Sequence, residues 1–253
     1  MRRVVFIFLF IILTVVSAPA QAVFAYPETT ADEIVIQHIG FTLSYNPKTM
    51  MPNWVAYQLH ATDLEGDAVR AGRFSPDPSP QLNGYTLAEH WNYTNSGWVR
   101  GHMVPAGDLK YSQEAMNCSF YTTNICPMDM TFNNGIWKRL EEKIRKLAIQ
   151  FGYVFIITGP VVGDNTHGNV GESGIVVPDA FFKAIIVPCK ASFKAIGFYM
   201  PNEPAPKGSR LKDFAVSVKE LETAIDRTLF IHLSPDIAFD VKSQLPLKEL
   251  GLY

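Results

Sequence analysis

Apolar runs of strand length occur at Phe41–Tyr45, Trp54–Leu59, Tyr153–Thr158, Gly174–Val177, Ala184–Val187 and Ala195–Tyr199, separated by Gly, Pro, Asn or Asp. Between the first two runs, Asn46-Pro47-Lys48 and Met51-Pro52-Asn53 supply turn chemistry, which predicts an antiparallel hairpin. A helical period runs from Asn133 to about Gln150, with Ile136, Trp137, Leu140, Ile144, Leu147 and Ala148 on one face and Gly152 marking the end. Ser112 caps a shorter helix beginning Gln113-Glu114-Ala115-Met116. Ser217-Val218-Lys219-Glu220 is a capping box that opens a last helix. Residues 23–36 read as a loosely held lead-in. Residues 72–97 read as a long surface loop, because the three prolines between Arg73 and Pro80 exclude a central strand or helix interior. No repeat or low-complexity tract interrupts this order, so the fold class expected is α+β, built on a largely antiparallel central sheet with helices.

The first 22 residues stand apart from that pattern. Arg2 and Arg3 precede the apolar run Val4–Val16, and Ala20-Gln21-Ala22 has the small-x-small form of a cleavage site. This reads as a secretory signal peptide, with a secreted or periplasmic mature chain, residues 23–253 forming one domain, and no stable membrane association after cleavage. A run of thirteen residues, all apolar but Thr14, is short for a membrane span. With 47% apolar and 18% charged residues the rest has the composition of a globular protein. Losing Arg2 and Arg3 moves the formal net charge of −2 further negative. A polyanionic partner would then need a local basic patch or a metal ion. Cys118, Cys126 and Cys189 lack the spacing of a zinc site. Pairing Cys126 with Cys189, pairing Cys118 with Cys126, and a free buried set all remain open.

The chemistry concentrates between Trp98 and Glu142. Arg100-Gly101-His102 lies near the end of one extended segment, Phe120–Ile125 forms a second, and the long helix follows, a strand–strand–helix order. Hydrolysis of a phosphodiester needs a base for the attacking water and positive charge on the phosphoryl and leaving oxygens. His102, ordinarily titrating near ~6.5, can supply the base. One Mg²⁺ with few protein oxygens and several waters can supply the charge. Asn133 and Glu141, eight residues apart, would lie ~12 Å apart along a regular helix and ~80° apart around it. Either Glu141 acts through water, or the first turn at Asn133-Asn134-Gly135 is irregular, which the glycine favours. Singly, each residue has a plainer role: Asn133 as a helix cap, Glu141 as a solvated charge within Lys138–Lys143, His102 as one structural histidine of six.

Three stretches taken together resemble the DNA/RNA non-specific endonucleases, the ββα-metal or His-Me finger enzymes that include secreted bacterial nucleases and mitochondrial endonuclease G. They are Arg100-Gly101-His102-Met103-Val104-Pro105-Ala106-Gly107-Asp108, then Phe120-Tyr121 with Asn124-Ile125, then Asn133, Gly135, Trp137, Leu140 and Glu141. The likeness extends more weakly to Trp54-Val55-Ala56-Tyr57, Val177-Pro178 and Phe182-Lys183. It implies His102 as general base, Asn133 as the direct ligand of Mg²⁺, with Mn²⁺ able to substitute, and Glu141 as the acid that holds a water of the ion. Arg100 matches an arginine of the family motif. A further phosphate-binding arginine is carried onto Arg73 first and Arg70 second. DNA and RNA are the implied substrates, 5′-phosphate ends the implied products, and a homodimer is admitted.

Two positions depart from the family pattern: Val99 stands where Asp is usual and Met128 where Gln is common. The loss of that Asp, with the negative net charge, motivates a second reading, a nuclease fold that binds nucleic acid or another partner with weak or no cleavage. A third is a metal-dependent phosphodiesterase of small nucleotides.

Overall fold

The computed structural model describes residues 26–164, 166–172, 174–189 and 192–253, so the expected leader lies outside the described residues. Ile34–His38 forms strand β1, Phe41–Asn46 β2 and Met51–His60 β3, paired antiparallel in that order. The hairpin predicted for β2 and β3 is present. The lead-in expected at 23–36 is instead partly strand: Ile39-Gly40 closes a two-residue turn, with Gly40 at φ +90°, and Ile34–His38 folds back on β2.

After the loop that follows β3 come β4 (Val99–His102), helix α1 (Gln113–Cys118), β5 (Ile125–Met128), a single turn α2 (Met130–Phe132), a π-helical turn over Asn133–Trp137 and the long helix α3 (Lys138–Phe151). Residues 72–97 carry only short 3₁₀ turns at Pro80–Leu82 and His90–Tyr93, as a loop should. Strand β6 (Tyr153–Val161) returns to the sheet beside β3, a small ladder joins β7 (Asn169–Val170) to β8 (Ile175–Val176), and β9 (Ala180–Cys189), β10 (Ser192–Pro201) and β11 (Ala215–Val216) complete the sheet. Its order is β1-β2-β3-β6-β9-β10-β11, with every neighbouring pair antiparallel.

Helix α4 (Val218–Ile225) starts at the predicted capping box, with Ser217 Oγ accepting from the Glu220 amide and the Ser217 amide donating to the Glu220 carboxylate. Helix α5 (Pro235–Ser243) was not anticipated, although Ser234-Pro235 is a fair start signal.

Strands β6 and β9 are covered on both faces, which is why they read as continuous apolar runs. On one face Tyr57, Ile156, Phe181 and Ile185 pack beneath Ile144 and Leu147 of α3 and the β4–β5 pair. On the other, Ile157, Phe182 and Ile186 pack against Val218 and Leu221 of α4 and Val241 of α5. The chemistry-bearing segment therefore sits wholly on one side of the sheet.

Candidate active site

Strands β4 and β5 pair antiparallel, with Val99 opposite Met128, Gly101 opposite Cys126 and His102 opposite Ile125. Glycine at 101 leaves room for Met128, since a Cβ there would overlap the Met128 side chain and force it to move. The second strand starts later than the sequence suggests, since residues 122–124 form a 3₁₀ turn. The buried Asn124 side chain explains it: Oδ1 accepts from the Val104 amide at 3.0 Å, and Nδ2 donates to the carbonyls of Val104 and Ser119. This amide fastens the turn to the backbone just beyond His102 and commits it to curve.

The helical segment also starts earlier than expected. Asp129, rather than Asn133, is its cap, its carboxylate accepting from the Phe132 amide at 2.7 Å. Released from capping, the half-buried Asn133 opens a π turn that kinks at Gly135 (φ −102°, ψ −105°). The irregular first turn anticipated from the spacing is thus present, and π turns of this kind recur at functional sites.

Arg70, His102, Asn133, Asn134, Lys138, Glu141 and Arg145 line one cleft of roughly 330 Å³ beside Pro105–Gly107. The His102 ring packs between Phe74 and Phe120, at centroid distances of 5.3 and 5.1 Å, and its buried Nε2 has no hydrogen-bond partner. Burial, reinforced by the Arg70 charge, pushes its pKa down to about 3, so the imidazole is held neutral in the absence of substrate.

Glu141 Oε2 is 3.6 Å from Arg145 Nη2, and Arg145 Nε donates to Asp108 Oδ1 at 2.6 Å. Asp108, itself buried, also accepts from the Tyr57 hydroxyl at 2.9 Å. Burial raises the Glu141 carboxyl above its ordinary range, and the Lys183 charge opposes that rise. Burial pulls the Lys183 ammonium below its ordinary range, opposed in turn by Glu141.

A neutral imidazole, an amide, a carboxyl and three cations around one cleft is an arrangement suited to a phosphodiester. A sequence model described as DNA/RNA non-specific endonuclease matches residues 20–235 of the chain. The chain belongs to the DNA/RNA non-specific endonuclease family. Human mitochondrial nuclease EXOG is 31% identical over an alignment covering 90% of this chain and 70% of that protein. Nuclease C1 of Cunninghamella echinulata var. echinulata is 34% identical, covering 82% and 86%. The solved structure of the EndoG/EndoGI complex shares the fold, with a TM-score of 0.72 and 24% identity over 80% of this chain and 88% of that one. Membership makes this chain an enzyme acting on nucleic acid and gives it the family's ββα-metal finger, here β4, β5 and the helix through Asn133 and Glu141.

Within this nuclease, His102, Asn133, Glu141 and Arg70 come together, and two other expected residues do not. Arg100 lies outside the cleft lining: its guanidinium donates to the His90 carbonyl, reaches Thr94 Oγ1 at 3.4 Å and lies 5.4 Å from the Tyr93 ring centroid. It satisfies a carbonyl at the start of a 3₁₀ turn and so anchors the 90–94 loop. Arg73, the first choice for a phosphate-binding arginine, is exposed and also outside the lining, whereas Arg70, the second choice, is inside it with its Cζ 5.3 Å from the Phe120 centroid. No cysteine is paired: Cys118 and Cys126 are buried and Cys189 is half-buried. Sequence reading passed over Lys138 and Arg145, although their spacing from Glu141, three residues before and four after, marks one helical face. It also gave no role to Lys183, a lone charge in an otherwise apolar strand.

The family's metal dependence was tested against the donors present. Among the described residues no group of three or more His, Cys, Asp or Glu could hold an ion. A hard cation in the cleft would therefore be held by few protein oxygens and keep most of its waters, as Mg²⁺ prefers. The Asn133 side chain lines the cleft, and Glu141 lies two turns further along the same helix. These donors fit such an ion.

Proposed function

We propose that the chain is an exported, Mg²⁺-dependent, sugar-non-specific endonuclease that hydrolyses DNA and RNA to leave 5′-phosphate ends. The observation that carries this reading is His102: a neutral imidazole with an unpartnered Nε2, on the cleft that also holds Asn133, Glu141 and three cations. In this mechanism His102 takes the proton from the attacking water. Arg70, Lys138 and Arg145 orient the phosphate and balance its charge. Asn133 would hold the ion by its side-chain oxygen, and Glu141 would act on it through water. When bound, the ion supplies positive charge at the phosphoryl and leaving oxygens. Phe74 and Phe120 fix the ring so that little reorientation accompanies proton transfer. The nucleic acid itself brings the negative charge that favours an imidazolium in this buried position.

Export is supported by the leader. The curated relatives named as mitochondrial include human EXOG, but a mitochondrial leader is Arg-rich and amphipathic, whereas Val4–Val16 is apolar except for Thr14 and follows two arginines. The deciding experiment incubates the mature protein with plasmid and with RNA, with and without Mg²⁺, beside His102→Ala. Wild type should cut both only with Mg²⁺, and the folded variant should cut neither. Undiminished cutting by His102→Ala overturns the assignment, and the N-terminal residue of the recovered protein tests export.

A further inference from the structure

Strand β9 carries a single charge, Lys183, in a run of residues that is buried from Ala180 to Val187. It is fully buried, and along the strand it faces the same side as Phe181 and Ile185, the side on which the cleft is built. An ammonium in such a place costs several kcal/mol unless it is compensated. The partners that compensate it belong to the active-site segment. Nζ donates to the Met103 carbonyl at 3.4 Å, one residue beyond His102. The same atom lies 4.5 Å from the centroid of Trp137, which closes the π turn opened by Asn133. The charges acting on it are the carboxylates of Glu141 and Asp108 and, in opposition, the Arg145 guanidinium.

We propose that Lys183 is a positioning residue of the nuclease site: from beneath the cleft it ties the backbone after His102 to the π turn after Asn133, and it places a buried ammonium within electrostatic reach of the Glu141 carboxyl. The cleft's two walls come from segments more than thirty residues apart, β4 and the helical turn, and Lys183 reaches from the sheet to both. Without that charge the Glu141 carboxyl would depend on Arg145, which among the described residues is already shared with Asp108. The proposal rests on the roles given above to His102, Asn133 and Glu141.

Lys183→Met removes the charge and keeps an unbranched stem. The folded variant should lose roughly 10- to 100-fold in kcat, the range for residues that orient metal-site groups, with KM within about threefold of wild type. The discriminating measurement is a double-mutant cycle with Glu141→Gln, read both in kcat and in urea unfolding. Action through the carboxylate predicts that Lys183→Met has little further effect on kcat once Glu141 is neutral, and that the two changes are non-additive in stability. Equal losses in both backgrounds, or an unchanged kcat, overturn the proposal. Should Lys183→Met fail to fold, Lys183→Gln carries the same cycle. His102→Ala is run alongside: if it and Lys183→Met are both fully active the site assignment itself falls, whereas an inactive His102→Ala with a fully active Lys183→Met removes only the role of Lys183.

Discussion

Val99 and Met128 face each other across the β4–β5 ladder. These are the two positions at which the chain leaves the family's usual Asp and Gln, so the departures form one cross-strand contact. Both are apolar, Met128 is fully buried, and Val99 packs on the main core. The contact is apolar, and His102, Asn133 and Glu141 still line one cleft.

The same methionine lies under Gly101, which sets up a size test. Gly101→Ala should destabilise the protein by ~2 kcal/mol or more, because the new Cβ overlaps a buried side chain. Met128→Ala should itself cost ~2–5 kcal/mol as a buried truncation. The double variant should be more stable than the sum of the two losses by ~1 kcal/mol or more in urea unfolding. Strict additivity would show that the two side chains do not compete for space.

Arg100 gives an opposite outcome to His102. Because it holds the 90–94 loop through the His90 carbonyl, Arg100→Met should expose that loop to proteolysis near Trp91 while leaving a measurable kcat. Limited proteolysis beside a steady-state assay checks this. Complete inactivation with an intact loop would return Arg100 to the reacting centre.

The Tyr57–Asp108–Arg145 chain predicts a graded series. Tyr57→Phe removes one hydrogen bond to a buried carboxylate and should cost ~1–3 kcal/mol. Asp108→Ala strands the Arg145 guanidinium and should cost ~3–5 kcal/mol. It should also reduce activity, since Arg145 lines the cleft. Equal losses for the two variants, measured by chemical denaturation, would contradict the chain as drawn.

Stability should depend on pH through His38 and Asp77, whose Nε2 and Oδ2 atoms are 2.8 Å apart far from the cleft lining. Burial alone would lower the His38 pKa, but the hydrogen bond to Asp77, followed by Cys118, raises it from 6.5 to about 9. A pKa raised on folding stabilises the protein fully below the unfolded value, and that contribution, ~2 kcal/mol after allowing for partial solvent screening, fades between pH 6.5 and about 9. Asp77 is held below its ordinary 3.8 because hydrogen bonds from His38, Ser79 and Thr123 outweigh burial, so its contribution is lost only as the pH falls below that value. Urea unfolding at pH 6, 7.5 and 9 should show the alkaline loss in wild type and a flatter profile in His38→Gln. Identical profiles would remove the pair from the account.

Much of this was legible along the chain. The β2–β3 hairpin, the cap at Ser112 and the capping box at Ser217 depend on short-range chemistry, and each appears where the pattern placed it; His102, Asn133 and Glu141, singled out from the sequence, meet at one cleft because the fold brings them there. Periodicity also exposed the geometric conflict between Asn133 and Glu141 and its remedy at Gly135. Beyond those local features the order of seven strands, the turn at 122–124 held by Asn124, and the choice of Arg70 over Arg73 and Arg100 were set by partners distant in sequence. Lys183 states the division most sharply. In sequence it is an odd charge in an apolar strand, and only packing shows that the cost of burying it is met by Met103, Trp137 and Glu141, because electrostatic compensation depends on distance in space and not along the chain.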